Sequence, residues 1–377
     1  MSETKLSLFL VPAKLIDIHI VESVFERFGF DKITSFEISS LDSDDLTSLL
    51  YIEDISNYDT HWKVFVMADY CPRPQGWRKP SYLEPVDNAR LYLMPYIRDF
   101  ANEYRTLTNG TSFSLLWTAN TKFAYALLEK WKPKLIKPIK ANLAENSKKM
   151  QCPFPVIKEF GYWRNYCKVH LIEHNNNLAV CKIYRPGREK YLGNRLLVAE
   201  RLANVKEVLP ILDHGPNWFV IPYLENCVTL KDYRKIAGLL PLSVVNQLLK
   251  LVKKINSAAL AHLDFHSEHV FINSKQELYV IDFDRIYTYD EAPPLETNIM
   301  LTGTKNIMKY DGPYKSWSYD NAWLHLTGLP LVVFLNGGKL KQFYWRSLYM
   351  TKNILNRLIR MTKNTLKRLI HLTRKLY

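Results

Sequence analysis

The residues best suited to chemistry lie in residues 261–287, AHLDFHSEHVFINSKQELYVIDFDRIY. Asp264 and Asp282 each stand among apolar residues, and His269 lies between them. Two short apolar runs separated by a polar turn predict a hairpin that brings both carboxylates to one end of its strands. These runs are Val270–Ile272 and Leu278–Ile281. Because two buried carboxylates repel each other unless a cation joins them, the segment predicts a divalent-metal and phosphate site.

The spacing of these residues resembles the catalytic core of protein-kinase-like phosphotransferases. In that family His-x-Asp is followed five residues later by Asn and then, after a hairpin, by Asp-Phe-Gly. His262-Leu263-Asp264 matches the first part, and Asp282-Phe283-Asp284 matches the last part with Asp in place of Gly. The run from Ile281 to Arg285 is similar to the Kdo kinases of bacterial lipopolysaccharide. His269, at the Asn position, is similar to the histidine of the heptose kinases.

The resemblance implies a role for each of these side chains. Asp264 would accept the proton of the acceptor hydroxyl or position it, and Asp282 would hold Mg²⁺ with help from His269 or Asp284. A neutral imidazole is a poorer magnesium ligand than the usual amide oxygen, which weakens the second metal position. A buried hairpin with a satisfied Asp pair is the alternative without chemistry.

Upstream residues supply the ATP-binding parts of the same pattern. Two strands joined by Asn175-Asn176-Asn177 end in LAVCKIY, which resembles the kinase strand that carries the phosphate-binding lysine, here Lys182. A surface lysine is the simpler interpretation of that position. Glu200, on a predicted helix over 191–203, is placed to orient Lys182, and Glu189 competes for this role.

The predicted adenine and phosphate sites are less complete. Residues 218–225 resemble the fifth strand and the interlobe hinge, with Pro222 and Glu225 as candidate ATP-binding residues. The glycine-rich loop is missing, and Arg164 stands at one of its expected glycine positions, where its side chain could bind phosphate instead. This gap favours a catalytically inactive pseudokinase scaffold as one alternative. Gly303-Thr304, similar to the end of an activation segment, favours a serine/threonine protein kinase as another.

The sequence patterns divide the whole chain into four predicted regions. Residues 1–131 alternate strand and helix patterns and form an accessory α/β domain of unknown role, and the Lys-rich residues 132–151 form a linker. Residues 152–338 form the two-lobed kinase-like domain. Five cysteines without metal spacing suit a reducing cytoplasm, and no apolar run is long enough to span a bilayer. The predicted fold class is α+β.

Residues 339–377 supply most of the basicity of the chain. They contain eleven Lys and Arg and no Asp or Glu, against a formal net charge of +14 for the protein. Three copies of an eleven-residue unit occupy 344–376, and this period keeps one apolar stripe on a straight helix. Such a basic amphipathic helix favours an anionic membrane surface over nucleic acid, and packing on its own domain is the alternative. The protein would be cytoplasmic and peripheral on the inner face of the membrane.

Together these features predict an ATP- and Mg²⁺-dependent kinase that phosphorylates a hydroxyl. The acceptor would be a sugar of lipopolysaccharide or another glycolipid at a membrane, with a protein acceptor as the alternative.

Overall fold

The computed structural model describes residues 4–13, 18–50, 61–72, 88–94, 97, 99, 115–160, 166–303, 307–309, 312–314 and 317–376. Helices and antiparallel sheets are mixed along these residues, which confirms the α+β class. The chain divides into two compact units. Unit 1 comprises residues 1–193, 211–223 and 308–314, and unit 2 comprises residues 194–210, 224–307 and 315–377.

The first sheet of unit 1 has five antiparallel strands in the order β2-β4-β1-β5-β3. Its strands are β1 (Lys5–Pro12), β2 (Asp31–Ile38), β3 (Leu49–Leu50), β4 (Trp62–Asp69) and β5 (Leu116–Thr118). The helices of this region are α1 (Ile18–Arg27), α2 (Ser43–Thr47), α3 (Thr121–Trp131) and α4 (Ile136–Lys149), with short 3-10 helices at Ala89–Leu93 and Pro133–Leu135. The central strand β1 is buried on both faces: Phe9 packs with Phe25 of α1, while Leu8 packs with Leu128 of α3. This explains its mainly apolar sequence.

The second sheet of unit 1 has the order β6-β7-β8-β10-β9. Its strands are β6 (Val156–Phe160), β7 (Cys167–His174), β8 (Asn177–Tyr184), β9 (Asp213–His214) and β10 (Trp218–Pro222). Asn175 and Asn176 both have positive φ, which confirms the predicted turn between β7 and β8. Cys181 and Ile183 of β8 share a buried cluster with Ala68 of β4 and with Tyr70, which directly follows β4. One face of the second sheet is therefore covered by residues from the N-terminal region.

A buried ionic cluster adds to this packing within unit 1. Arg185, directly after β8, reaches Asp69 at 2.6 Å and Asp31 at 3.0 Å, and Arg90 binds Asp69 at 2.7 Å. Burial raises the pKa of Asp31 to about 6, despite Arg185 and Arg188 beside it. Residues 132–151, expected to form a linker, are largely helical, with Ile139 of α4 buried.

Unit 2 is mainly helical and also holds the predicted hairpin. Its helices are α5 (Glu189–Arg201, which begins in unit 1), α6 (Leu230–Ala237), α7 (Leu242–Ser257), α8 (Ile299–Thr302), α9 (Tyr319–Ala322), α10 (Leu324–Thr327), α11 (Leu331–Asn336) and α12 (Lys339–Leu376), with a 3-10 turn at Leu295–Thr297. Its strands are β11 (Val228–Thr229), β12 (Leu260–His262), β13 (Val270–Ile272), β14 (Leu278–Val280) and β15 (Ile286–Thr288). Two further strands, β16 (Ile307–Lys309) and β17 (Gly312–Tyr314), pair with each other, and all of their residues except Ile307 belong to unit 1. The apolar face of α7 forms the centre of the unit 2 core.

Gly328 and Pro330 separate the short helices α10 and α11 near the end of the chain. Gly328 adopts a left-handed conformation after α10, a common way for a helix to end. The predicted basic helix is present as the long α12. Among the described residues, no helix is both long enough and apolar enough to cross a membrane.

Candidate functional site

Backbone hydrogen bonds within unit 2 hold the two aspartates of the site near each other. β13 pairs with β14, and β12 pairs with β15, so the segments that carry Asp264 and Asp282 both leave short two-stranded ladders. Ile281 N–H donates to the carbonyl of His269 at 3.0 Å, and Leu263 N–H donates to the carbonyl of Arg285 at 2.9 Å. The hairpin predicted from the sequence is confirmed.

His262 connects the two aspartate segments from the buried side. Its Nδ1 accepts the backbone N–H of Asp264 at 3.2 Å, and its Nε2 lies 3.0 Å from the carbonyl of Ile281. Because a carbonyl can only accept, Nε2 carries the proton and the ring is neutral. Burial agrees with this tautomer, since it lowers the pKa of His262 to about 4. His262 is therefore a positioning residue whose two nitrogens are both occupied by backbone groups.

His269 lies between the two carboxylates. Its Nδ1 donates a hydrogen bond to the carbonyl oxygen of Asp264 at 2.9 Å, while its Nε2 is 3.4 Å from Oδ2 of Asp282. In the neutral ring, Nε2 presents a lone pair to a carboxylate oxygen, so two acceptors face each other. A second proton on His269, or a cation held by both atoms, would stabilise this arrangement.

Asp282 also has an unusual backbone conformation. Its φ is +64°, a left-handed value that few residues other than glycine adopt and that Asp tolerates better than most. Such conformations cost free energy and are concentrated at functional sites. The side chain of Asp282 is about a third exposed, so its carboxylate remains accessible to a ligand.

His266 belongs to the site and was not singled out from the sequence. Its Nδ1 accepts the N–H of Glu268 at 3.3 Å, and its Nε2 lies 3.5 Å from Oδ1 of Asp264. Burial, with His269 nearby, lowers the pKa of His266 and favours the neutral ring. Asp264, His266 and His269 offer ligand atoms that all lie within 4.8 Å of one another. The available signal was the Asp-x-His spacing inside HLDFHSEH.

The helix α5 contacts the segment that carries Asp282 and Asp284. The side chain of Asn194 donates to the carbonyl of Asp284 at 2.6 Å. The guanidinium of the buried Arg195 lies 6.0 Å from the ring centre of Phe283. Asp284 therefore sits in the same turn as Asp282, although its carboxylate is not one of the three grouped metal donors found among the described residues.

The sequence-predicted ATP-binding residues are distributed over both units. Lys182 lies in the middle of β8, paired with Val169 and Phe219, and its Nζ is 5.5 Å from the ring centre of Tyr184. Strand alternation places it on the sheet face opposite Cys181 and Ile183, away from the N-terminal region. Glu189, in the first turn of α5, is exposed and belongs to unit 1.

The remaining predicted ATP-binding residues lie at an exposed helix position, at a strand end, in a turn and outside the described residues. Glu200 is an exposed residue of unit 2, so its pairing with Lys182 stays a prediction. Pro222 ends β10 opposite Ala179, and Glu225 is exposed in the following turn. Arg164 lies outside the described residues.

The donor chemistry of the site fits a divalent cation. The carboxylates of Asp264 and Asp282 are the oxygen ligands that Mg²⁺ prefers, whereas the imidazole of His269 suits Mn²⁺ and later metals better. Comparison of the chain with protein-family models finds no match, and comparison with curated proteins finds none either. The resemblance to kinases therefore depends on the residues of the chain itself.

Proposed function

We propose that the protein is an ATP-dependent phosphotransferase of the protein-kinase-like type that phosphorylates a hydroxyl group. The observation that carries the proposal is the arrangement of Asp264 and Asp282 around His269, with Nε2 of His269 3.4 Å from the carboxylate of Asp282. Two accessible carboxylates with an imidazole between them are suited to a metal–phosphate site.

The folds of the two units support a two-lobed arrangement. In chain order β10 is the fifth strand of the second sheet, and it pairs with β8, which carries Lys182. This strand order supports the proposal that residues 218–225 include the fifth strand of the smaller lobe and lead to the hinge. Unit 2, with its helical core and short hairpin, would correspond to the larger lobe, and the second sheet of unit 1 to the smaller one.

Each residue of the site has a defined task in this proposal. Asp264 accepts the proton of the attacking hydroxyl, and the Nε2–H of His266 faces the same carboxylate and keeps it oriented. Asp282 and His269 would hold the divalent cation, which neutralises charge on the transferred phosphoryl group. Lys182 would bind the α- and β-phosphates of ATP.

The acceptor proposed is a sugar hydroxyl of lipopolysaccharide or another glycolipid. The similarity of Asp282-Phe283-Asp284-Arg285 and of His269 to the Kdo and heptose kinases supports this class. A protein acceptor is the second candidate, favoured by Gly303-Thr304.

The test is transfer of labelled γ-phosphate from ATP to three acceptors: a lipopolysaccharide-core glycolipid, a mixture of proteins, and water. Asp264→Asn should lower the turnover by a factor of about 10² or more, since a positioned general base contributes about 10²–10⁴. Asp282→Asn should lower it by about as much, because it removes a carboxylate proposed to hold the cation. Asp290→Asn is the matched control, because Asp290 is an exposed aspartate of the same unit. Transfer to none of the acceptors with Mg²⁺ or Mn²⁺ would support the pseudokinase scaffold, and retained turnover in either site variant would refute the assignment.

A further inference from the structure

The long helix α12 has one side packed on unit 2 and another side left exposed. Gln342 is buried and Trp345 packs against the unit 2 core. Phe343, Met350 and Ile354 recur at spacings of seven and four on the side away from Trp345, and each is 53–68% exposed. An amphipathic helix that is already packed on one side has no structural need for a second apolar row.

A basic cavity of about 510 Å³ lies within unit 2 beside this apolar row. Three cationic side chains of α6, Lys231, Arg234 and Lys235, are spaced so that they share one face of that helix, and they line the cavity. His325 of α10 completes the polar wall, and Met350 and Ile354 of α12 form the apolar wall. Met350 and Ile354 are themselves more than half exposed, so the apolar wall continues onto the outer surface of α12.

The charges of the cavity are only partly balanced. Lys231 pairs with Glu268, and Lys235 pairs with Asp232 at 2.7 Å. Within the part of the chain that the structure describes, Arg234 has no ion-pair partner. Guanidinium groups bind phosphate oxygens through two parallel hydrogen bonds, so Arg234 is well suited to an anionic headgroup.

We propose that this cavity binds the phosphate of a membrane phospholipid headgroup while the exposed apolar side of α12 lies in the interface of the same anionic bilayer. The cations of the cavity match the phosphate, and the adjoining apolar wall matches the beginning of the acyl region. The eleven Lys and Arg of residues 339–377, with no acidic residue among them, add attraction to an anionic surface. Nucleic acid would leave the apolar row of α12 unused. The inference does not depend on the proposed phosphotransfer.

The test is co-sedimentation of the full-length protein with phosphatidylcholine vesicles, with and without phosphatidylglycerol. Binding should require phosphatidylglycerol, and Phe343→Glu with Ile354→Glu should abolish it. One basic residue near an anionic surface is worth about a fivefold change in binding. Arg234→Ala with Lys235→Ala should therefore weaken binding by about 25-fold.

Two further variants separate the cavity from general charge attraction. Lys250→Ala with Lys253→Ala removes the same charge from exposed positions of α7 and should cost less than about fivefold. Asn353→Trp fills the cavity without changing the charge and should weaken binding, with circular dichroism as the check on folding.

Three results would overturn the proposal. Equal losses in the Arg234/Lys235 and Lys250/Lys253 pairs, with full binding by Asn353→Trp, would show that the cavity does not bind lipid. Release of the protein from vesicles by glycerol 3-phosphate would assign the cavity to a soluble phosphate ester. Preference for duplex DNA over vesicles at physiological salt would assign the basic surface to nucleic acid.

Discussion

Replacement of His262 gives a direct test of how the site is held together. The ring is buried, accepts one backbone N–H and donates to one backbone carbonyl. His262→Asn keeps an acceptor near the position of Nδ1, whereas His262→Gln keeps a donor near the position of Nε2. Each variant leaves one buried backbone group without a partner, which costs about 1–3 kcal/mol of the free energy of unfolding. His262→Ala leaves both unsatisfied and should cost about 2–6 kcal/mol.

The same histidine predicts a dependence of stability on pH. Its pKa is about 4 in the folded protein and near the ordinary 6.5 in the unfolded chain. The unfolded state therefore binds an additional proton as the pH falls below 6.5, and the stability that the neutral ring supports is lost between pH 6.5 and pH 4. The shift corresponds to about 3 kcal/mol of unfolding free energy. This loss should be absent from His262→Gln, which does not titrate.

The assay is urea-induced unfolding of the wild type and the variants at a series of pH values from 7 to 4. His214→Asn is the control, because His214 is exposed and should change the unfolding free energy by less than about 0.5 kcal/mol. If His262→Asn and His262→Gln are as stable as the wild type at pH 7, the two backbone hydrogen bonds are not what holds the aspartate segments. If the acid-induced loss of stability is the same in His262→Gln as in the wild type, another group causes it.

Two further outcomes are expected. Lys182→Ala should lower the affinity for Mg-ATP by about tenfold or more, or about 1.4 kcal/mol, in equilibrium binding, whereas Lys168→Ala, on the opposite face of the second sheet, should bind ATP as the wild type does. Asp69→Asn should lower the free energy of unfolding by about 3–5 kcal/mol, because it leaves two buried arginines without their shared carboxylate. Glu37→Gln, which removes an exposed pair with Lys63, should cost less than about 1 kcal/mol, and equal effects of the two changes in urea unfolding would contradict this account.

Local structure was predictable wherever a short-range pattern determines it. The strands β1 and β8 are mainly apolar, interrupted by Ser7 and Lys182 respectively. The turn at Asn175 uses residues that tolerate positive φ, and α3 follows its periodicity from Thr121 to Trp131. The eleven-residue period likewise predicted α12. In each of these cases the deciding contacts join residues close in sequence.

The site was predictable only in part, for the same reason. The spacing of Asp264 and Asp282 on either side of a hairpin indicates that they meet, but it does not show which nitrogen of His269 faces which oxygen. That assignment follows from the carbonyl of Asp264, which can only accept. His266 joins the site through a turn in which its Nδ1 accepts the N–H of Glu268. The Asp-x-His spacing places His266 near Asp264 in the chain, but it does not show that the ring faces the carboxylate.

The N-terminal region shows most clearly what a sequence pattern leaves out. Residues 1–131 show the alternation of an independent α/β domain, yet Asp69 and Asp31 are charged groups whose partner, Arg185, is more than a hundred residues away in the chain. A buried carboxylate is unfavourable without a cation, so these acids favour the folded state only when β8 and the residue after it are in place. We infer that the role of the region is structural: it buries the Cys181 and Ile183 side of the sheet, while Lys182 lies on the opposite face, where we propose that ATP binds. If that is correct, a fragment beginning at residue 152 should aggregate or unfold, whereas the full-length chain stays folded and soluble. A soluble fragment that retained ATP binding would show that the N-terminal region is dispensable.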